Sequence, residues 1–243
     1  KIYQEALDGM NKGNFLYASK KFSEAEGMLP DIDWASKSAL MSSYCLYNIN
    51  FYDQAILNLE RFIRIYPASQ YVSYAQYLIA ISYYEQILDE DKDIQPLLIS
   101  KKKIEDYLKK FPNTDYAIDL KFKLDLVINQ LAAKELLIAR YYIKNEKWIP
   151  AINRLKIIVK SYDKTIFVEE ALHRLVEINY KIGLEEEAKA AAVLLGYNYN
   201  SSEWYEKSYQ ILNKDYKPIK IDKKKDGGLV KRTIKKILFI DEK

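Results

Sequence analysis

Residues 62–71 read FIRIYPASQY. An aromatic followed by proline ends a helix, because proline has no N–H to donate and pushes the residue before it out of helical geometry. Ser69 then stands where a following helix opens. The pattern returns at residues 107–116, YLKKFPNTDY, in degraded form at 158–167, IVKSYDKTIF, and more weakly at 25–30, AEGMLP. A helix-ending signature that recurs along a chain marks a helical repeat protein.

Working outward from these stops, the chain reads as antiparallel helix pairs whose second helix carries a small residue, a large apolar residue four later, and a proline at its end. Repeat one turns at Gly13-Asn14-Phe15 and continues through Ala18, Phe22, Ala25 and Pro30. Repeat two has a first helix from Trp34 to Asn48, turns at Phe51-Tyr52, and runs through Ala55, Leu59, Phe62 and Pro67. In repeat three, Tyr71, Tyr74, Tyr77, Ala80 and Tyr84 mark the first helix, an acidic loop spans 89–96, and the second helix covers 97–110. Pro67 and Pro112 are 45 residues apart, so the loop lengthens a period of about 34. Repeat four opens with a long helix over 116–145, with Leu120, Leu124, Val127, Leu131 and Leu136 at helical spacing, and closes with Trp148, Ala151, Leu155 and Ile158. Repeat five covers 168–181, turns at Gly183-Leu184, and continues through Ala188 and Leu195. A short helix over 203–212 follows as a cap, then a polar linker and a basic amphipathic segment at 229–240. The expected fold is therefore all-α, a tetratricopeptide-repeat superhelix of about five helix pairs with a basic helical tail. The expected divisions are 1–112, 113–212 and 213–243.

Composition agrees with a folded helical chain. Only 7 Gly and 6 Pro occur in 243 residues, too few for a protein rich in tight β turns. Residues 217–243 hold 10 Lys/Arg against 4 Asp/Glu, so the formal charge of +4 is a near-neutral body with a basic tail. A nucleic-acid-binding body would carry a basic stripe, and none is expected here. No apolar run is long enough to span a membrane. The single cysteine, Cys45, reads as a small core residue, and an internal disulfide is impossible.

Catalytic chemistry is hard to assemble from these residues. One histidine, His173, and one cysteine make a tetrahedral zinc site implausible. Phosphate-loop, nucleophile-elbow and zinc-protease motifs are missing. Carboxylates at Glu169-Glu170 and Glu185-Glu186-Glu187 read as solvated helix faces. No catalytic residue, metal ligand or cofactor is expected, which leaves recognition. Tyr is abundant, at 22 residues, and its apolar body with a polar tip suits half-buried grooves. Tyr44, Tyr47, Tyr74, Tyr77 and Tyr84 lie on first helices, which line the inner side of such stacks. They either fill seams between repeats or line a groove for an extended or helical peptide. Arg154, beside Asn153, is either a solvated charge or a bidentate partner for a carboxylate on another protein.

At this point the chain resembles the BamD family of lipoproteins in the outer-membrane β-barrel assembly machinery. The resemblance rests on FIRIYP at 62–67, YAQYLIAISYYEQI at 74–87, FPNTDYAIDLKFKL at 111–124, LAAKELLIARYYIKNEKWIPAINRLKIIVKSYDKT at 131–165 and EEALHRLVEINYKIGL at 169–184. The family departs from this chain in the run 91–95, where relatives carry arginine, and at Tyr162-Asp163, where they carry aromatic-Pro. The resemblance implies a non-enzymatic scaffold on the periplasmic face of the outer membrane, held by an N-terminal acylated Cys that would precede Lys1. It implies docking to a POTRA domain of the barrel-forming subunit, with Asn153 and Arg154 in the contact. Other assembly-complex lipoproteins and the C-terminal peptides of unfolded outer-membrane proteins are the remaining implied partners. A periplasmic repeat adaptor for envelope or division proteins, and an accessory domain of a wall-cleaving enzyme, are the alternatives.

Overall fold

Eleven α-helices carry the regular structure in the computed structural model, which describes residues 1–87 and 94–213, and no strand occurs among the described residues. They are α1 (Ile2–Asn11) and α2 (Phe15–Met28), α3 (Ile32–Asn48) and α4 (Tyr52–Ile65), α5 (Val72–Glu85) and α6 (Gln95–Lys110), α7 (Asp115–Lys144) and α8 (Trp148–Ser161), α9 (Val168–Lys181) and α10 (Glu185–Asn198), and finally α11 (Glu203–Leu212). The all-α repeat class expected from the helix stops is the one observed. Two compact units divide the chain, Lys1–Arg174 and Leu175–Lys243. The acidic residues at 89–93 and the basic tail from 214 onward lie outside the described residues.

The hairpin turns share one geometry. Gly13, Asn50, Glu146 and Gly183 all have positive φ, at 76°, 62°, 55° and 84°. Each stands two residues before the first residue of a second helix. Phe51 is therefore the N-cap of α4 and Asn50 makes the turn, a shift from the reading that placed the turn at Phe51-Tyr52. Glycine enters this left-handed region without steric cost, and asparagine tolerates it.

Packing within the second helices follows a fixed register. Ala18, Ala55, Ala151 and Ala188 are fully buried, and Ser100 holds the same place in α6. Four residues on, Phe22, Leu59, Ile104 and Leu155 are sealed from solvent; seven on, so are Ala25, Phe62, Tyr107, Ile158 and Leu195. The small residue lets the paired helix approach, and each large one contributes about 1.5–3 kcal/mol on burial. Tyr107 meets its polar demand inside the core, its hydroxyl lying 3.1 Å from Ser73 Oγ and 3.0 Å from Thr114 Oγ1.

Helix ends explain the recurring signature. Tyr66, Phe111, Tyr162 and Tyr199 are all C-caps with φ between −120° and −139°, each donating its N–H to the carbonyl four residues earlier. Tyr162 and Tyr199 keep this geometry although Asp163 and Asn200 stand where the other repeats have proline. The aromatic cap is the common element, and proline reinforces it. Starts shift by one or two residues from the sequence expectation. Asp31 accepts from the N–H groups of Asp33 and Trp34, so α3 opens at Ile32. Thr114 accepts from the Ala117 N–H, so α7 opens at Asp115. Pro96 sits in the first turn of α6 and not in the preceding loop, because a first-turn residue has no helical N–H bond to lose. In the second unit, α11 lies close on α10: a Cβ at Gly196 would come within 2.6 Å of the Tyr205 ring.

Candidate functional site

Helices α3, α5 and α7, the first helices of three successive pairs, are neighbours along one face of the first unit. Residues three apart on a helix share a face, so Tyr44 with Tyr47 and Tyr74 with Tyr77 project together. The ring centroids of Tyr74 and Tyr77 are 6.0 Å apart. Tyr116 of α7 closes the group, 5.3 Å from Tyr74 and 4.7 Å from Tyr77. Tyr47 meets Tyr52 of α4 at 5.7 Å. The four tyrosines of α3 and α5 rest on the core around Leu78 and Ile79, so they pack between repeats and also reach the surface.

Polar groups cross this face. The Tyr77 hydroxyl donates to Asp119 Oδ2 at 3.0 Å, and Lys123 Nζ donates to Oδ1 of the same carboxylate at 3.0 Å. Burial pushes the Tyr74 and Tyr47 hydroxyls up to about 12, with Glu85 adding to the effect at Tyr47. Tyr77 is raised as well, by burial first and then by its bond to Asp119. None of the hydroxyls of Tyr44, Tyr47 and Tyr74 bonds another group among the described residues.

Tyr84 lies two turns beyond Tyr77, with Lys123 Nζ 5.3 Å from its ring centre; it packs with Tyr77 on the cluster of Ala80, Ile104 and Leu120, and also on that of Leu97, Val127 and Leu131. Tyr52, Tyr116 and Asp119 meet the same face, and were missed. Tyr116 was in view as the last residue of the helix-stop motif at 107–116, but a motif read as punctuation hides a contact across helices.

Arg154 sits on α8 and donates Nη1 to Glu135 of α7, at 3.3 Å to Oε1 and 3.1 Å to Oε2. The Glu135 side chain is 7% exposed and that of Arg154 38%, so the arginine serves its own repeat and still reaches solvent. Asn153 is exposed beside it. Glu170 corrects the expectation of a solvated carboxylate. It is buried and takes both Arg140 and Arg174, because its helix position faces α7 and not water. Glu26 is held likewise by Arg61 and by the Tyr66 hydroxyl at 3.0 Å. Glu185, Glu186 and Glu187 are exposed.

His173 is buried at 3% exposure on α9. Burial pushes the Cys45 thiol up to about 12, which leaves it protonated and unreactive at neutral pH. Among the described residues no group of three or more His, Cys, Asp or Glu is placed to hold a metal ion, and no helix is long and apolar enough to cross a membrane.

Stacked helix pairs with a polar-tipped aromatic face define a tetratricopeptide-like scaffold. The chain belongs to the BamD family: a family profile described as outer membrane lipoprotein, YfiO, matches residues 1–194. It is 40% identical over 212 residues to the outer membrane protein assembly factor BamD of Caulobacter vibrioides, covering 87% of this chain and 70% of that one. The protein of the same name from Rickettsia prowazekii is 38% identical over 211 residues, covering 87% and 84%. That of Neisseria gonorrhoeae is 31% identical over 191 residues, covering 74% and 71%. Among solved structures, the type IV pilus biogenesis factor PilW is matched at 12% identity over 84% of this chain and 95% of its own, with a TM-score of 0.28, too low to bear on the fold.

Proposed function

We propose that this chain is an outer-membrane protein assembly factor that presents unfolded β-barrel polypeptides to the machinery that inserts them. Family membership and the names of the relatives support the process. The observation that carries the client-binding part is the face of Tyr44, Tyr47, Tyr74, Tyr77 and Tyr116. An extended peptide exposes backbone donors and acceptors that helix formation would have satisfied. Tyrosine hydroxyls can both donate and accept, and their rings can take aromatic side chains of the client. The role is one of binding, with no bond-making step assigned to any residue.

The second contact in this reading uses α7 and α8. Asn153 and the exposed edge of Arg154 meet a POTRA domain of the barrel-forming subunit, and further lipoproteins of the complex complete the assembly. A lipid on a cysteine preceding Lys1 holds the chain at the periplasmic face, in keeping with the family's description as lipoproteins.

The deciding experiment follows tyrosine ring signals by NMR while a C-terminal β-strand peptide of an outer-membrane protein is added. Broadening at Tyr47, Tyr74 and Tyr77 is expected, and undisturbed rings would move the client site elsewhere. For the second contact, Asn153→Ala and Arg154→Lys should weaken POTRA binding in calorimetry. Unchanged affinity in both would remove these residues from the interface.

A further inference from the structure

The tyrosine face has a charged corner. Helices α3 and α5 run in the same direction, so the end of α3, the start of α4 and the end of α5 lie at one end of the first unit. Tyr47 comes from the last turn of α3, Tyr52 is the first residue of α4, and Glu85 is the last residue of α5. The rings of Tyr47 and Tyr52 meet at 5.7 Å with an interplanar angle of 58°. Burial raises both phenols, and at both the Glu85 carboxylate adds to the rise. Tyr52 directs its hydroxyl to Asn50 Oδ1 at 2.8 Å, so its polar tip is held within the turn.

Glu85 is exposed and makes no ion pair among the described residues. Helix stability does not account for it, because a carboxylate in the last turn of a helix opposes the macrodipole. Lys123 is bonded to Asp119, and Lys37 lies over Trp34 and Tyr3, about two turns from Tyr44 along α3. Lys123 also shows what an ammonium does on this surface. It takes one carboxylate at 3.0 Å and one tyrosine ring at 5.3 Å, the pair of partners that Glu85 and Tyr47 offer with no cation on them among the described residues.

We propose that the corner of Tyr47, Tyr52 and Glu85 takes a lysine or arginine side chain of an extended peptide lying on the tyrosine face. This deepens the client-binding reading above and rests on it. Cation–π attraction and a carboxylate partner act together at the corner, and a client carboxylate is repelled from it. The face therefore selects clients by a basic residue within an aromatic segment.

The test uses the full chain and two fluorescent ten-residue peptides of alternating aromatic and polar residues, one with a central Lys and its twin with Gln. Anisotropy titrations with wild type should show the Lys peptide binding about fivefold to tenfold tighter. Glu85→Gln should bring the two peptides level, with an unchanged thermal melt showing the fold intact. Equal binding of both peptides to wild type overturns the cation corner and leaves the tyrosine face as a client site. If neither peptide binds, the client reading fails, and N-acetyl-lysine amide decides the corner separately. Shifts of the Tyr47 and Tyr52 ring signals that vanish in Glu85→Gln keep it; rings that do not respond overturn it.

Discussion

Glu135 on α7 receives Nη1 of Arg154 on α8 through both carboxylate oxygens, at 3.3 and 3.1 Å. The glutamate is the buried partner and the arginine the half-exposed one. Removing the arginine strands a carboxylate in the interior, which costs more than the pair itself is worth. Arg154→Ala should lower unfolding free energy by about 1–3 kcal/mol, the range discounted for the exposure of the guanidinium. Urea denaturation of Arg154→Ala, Glu135→Gln and the double variant measures it. The double variant should lose clearly less than the two single losses added together, and strict additivity would mean the two side chains act independently. Any loss of partner binding in an Arg154 variant then has to be read at equal folded fraction.

Ser100 takes the place that alanine holds in the other second helices. It is fully buried, and its Oγ has no hydrogen-bond partner among the described residues. The helix pair accepts the extra oxygen at the price of one lost hydration site. Ser100→Ala should therefore stabilise the protein by about 0.5–1.5 kcal/mol, since a buried hydroxyl without a partner carries its full desolvation cost. An upward shift of the thermal midpoint is the expected readout; a downward shift would show that the hydroxyl has a partner.

The helix pairs were legible because their rules are local. Small residues at Ala18, Ala55 and Ala151, and aromatic caps at Tyr66 and Phe111, announce themselves within one turn of chain. Asn50 and Glu146 were not legible as turn residues, because neither side chain advertises the left-handed backbone that glycine makes obvious. The candidate site was half legible for a different reason. Tyr44, Tyr47, Tyr74 and Tyr77 share faces within their own helices, so periodicity finds them. Tyr116 and Tyr52 arrive from other helices, and Glu135 reaches Arg154 across 19 residues. Tyr84, seven residues beyond Tyr77 on α5, shares a core cluster with it and also reaches the seam beside Lys123.

Backbone and packing effects separate cleanly at two glycines. Gly13 has φ of 76° and a Cβ added there would meet nothing within 4 Å, so any cost of Gly13→Ala is conformational. That cost is about 1 kcal/mol. Gly27 lies within α2, has no positive φ, and is equally open. Gly27→Ala should stabilise, by about 0.5 kcal/mol so near the helix end. The same substitution thus carries opposite signs fourteen residues apart. Chemical denaturation of the two variants checks this, and a shared sign would refute the assignment of the turn.

The tyrosine face also carries a pH signature. Burial raises Tyr47 and Tyr74 to about 12 from an ordinary value near 10. For an acid whose folded value lies above its unfolded one, the unfolded chain releases its proton first as pH rises. Their contribution is thus fully present below about pH 10 and is lost as pH climbs toward 12. Tyrosinate absorbance in the folded protein should include a late stage, near pH 12, from Tyr47 and Tyr74. Tyr47→Phe and Tyr74→Phe should each remove part of the late stage and flatten the fall of stability over that window. Absence of that late stage would mean that the Tyr47 and Tyr74 hydroxyls are fully hydrated, and a client peptide would then gain little by covering them.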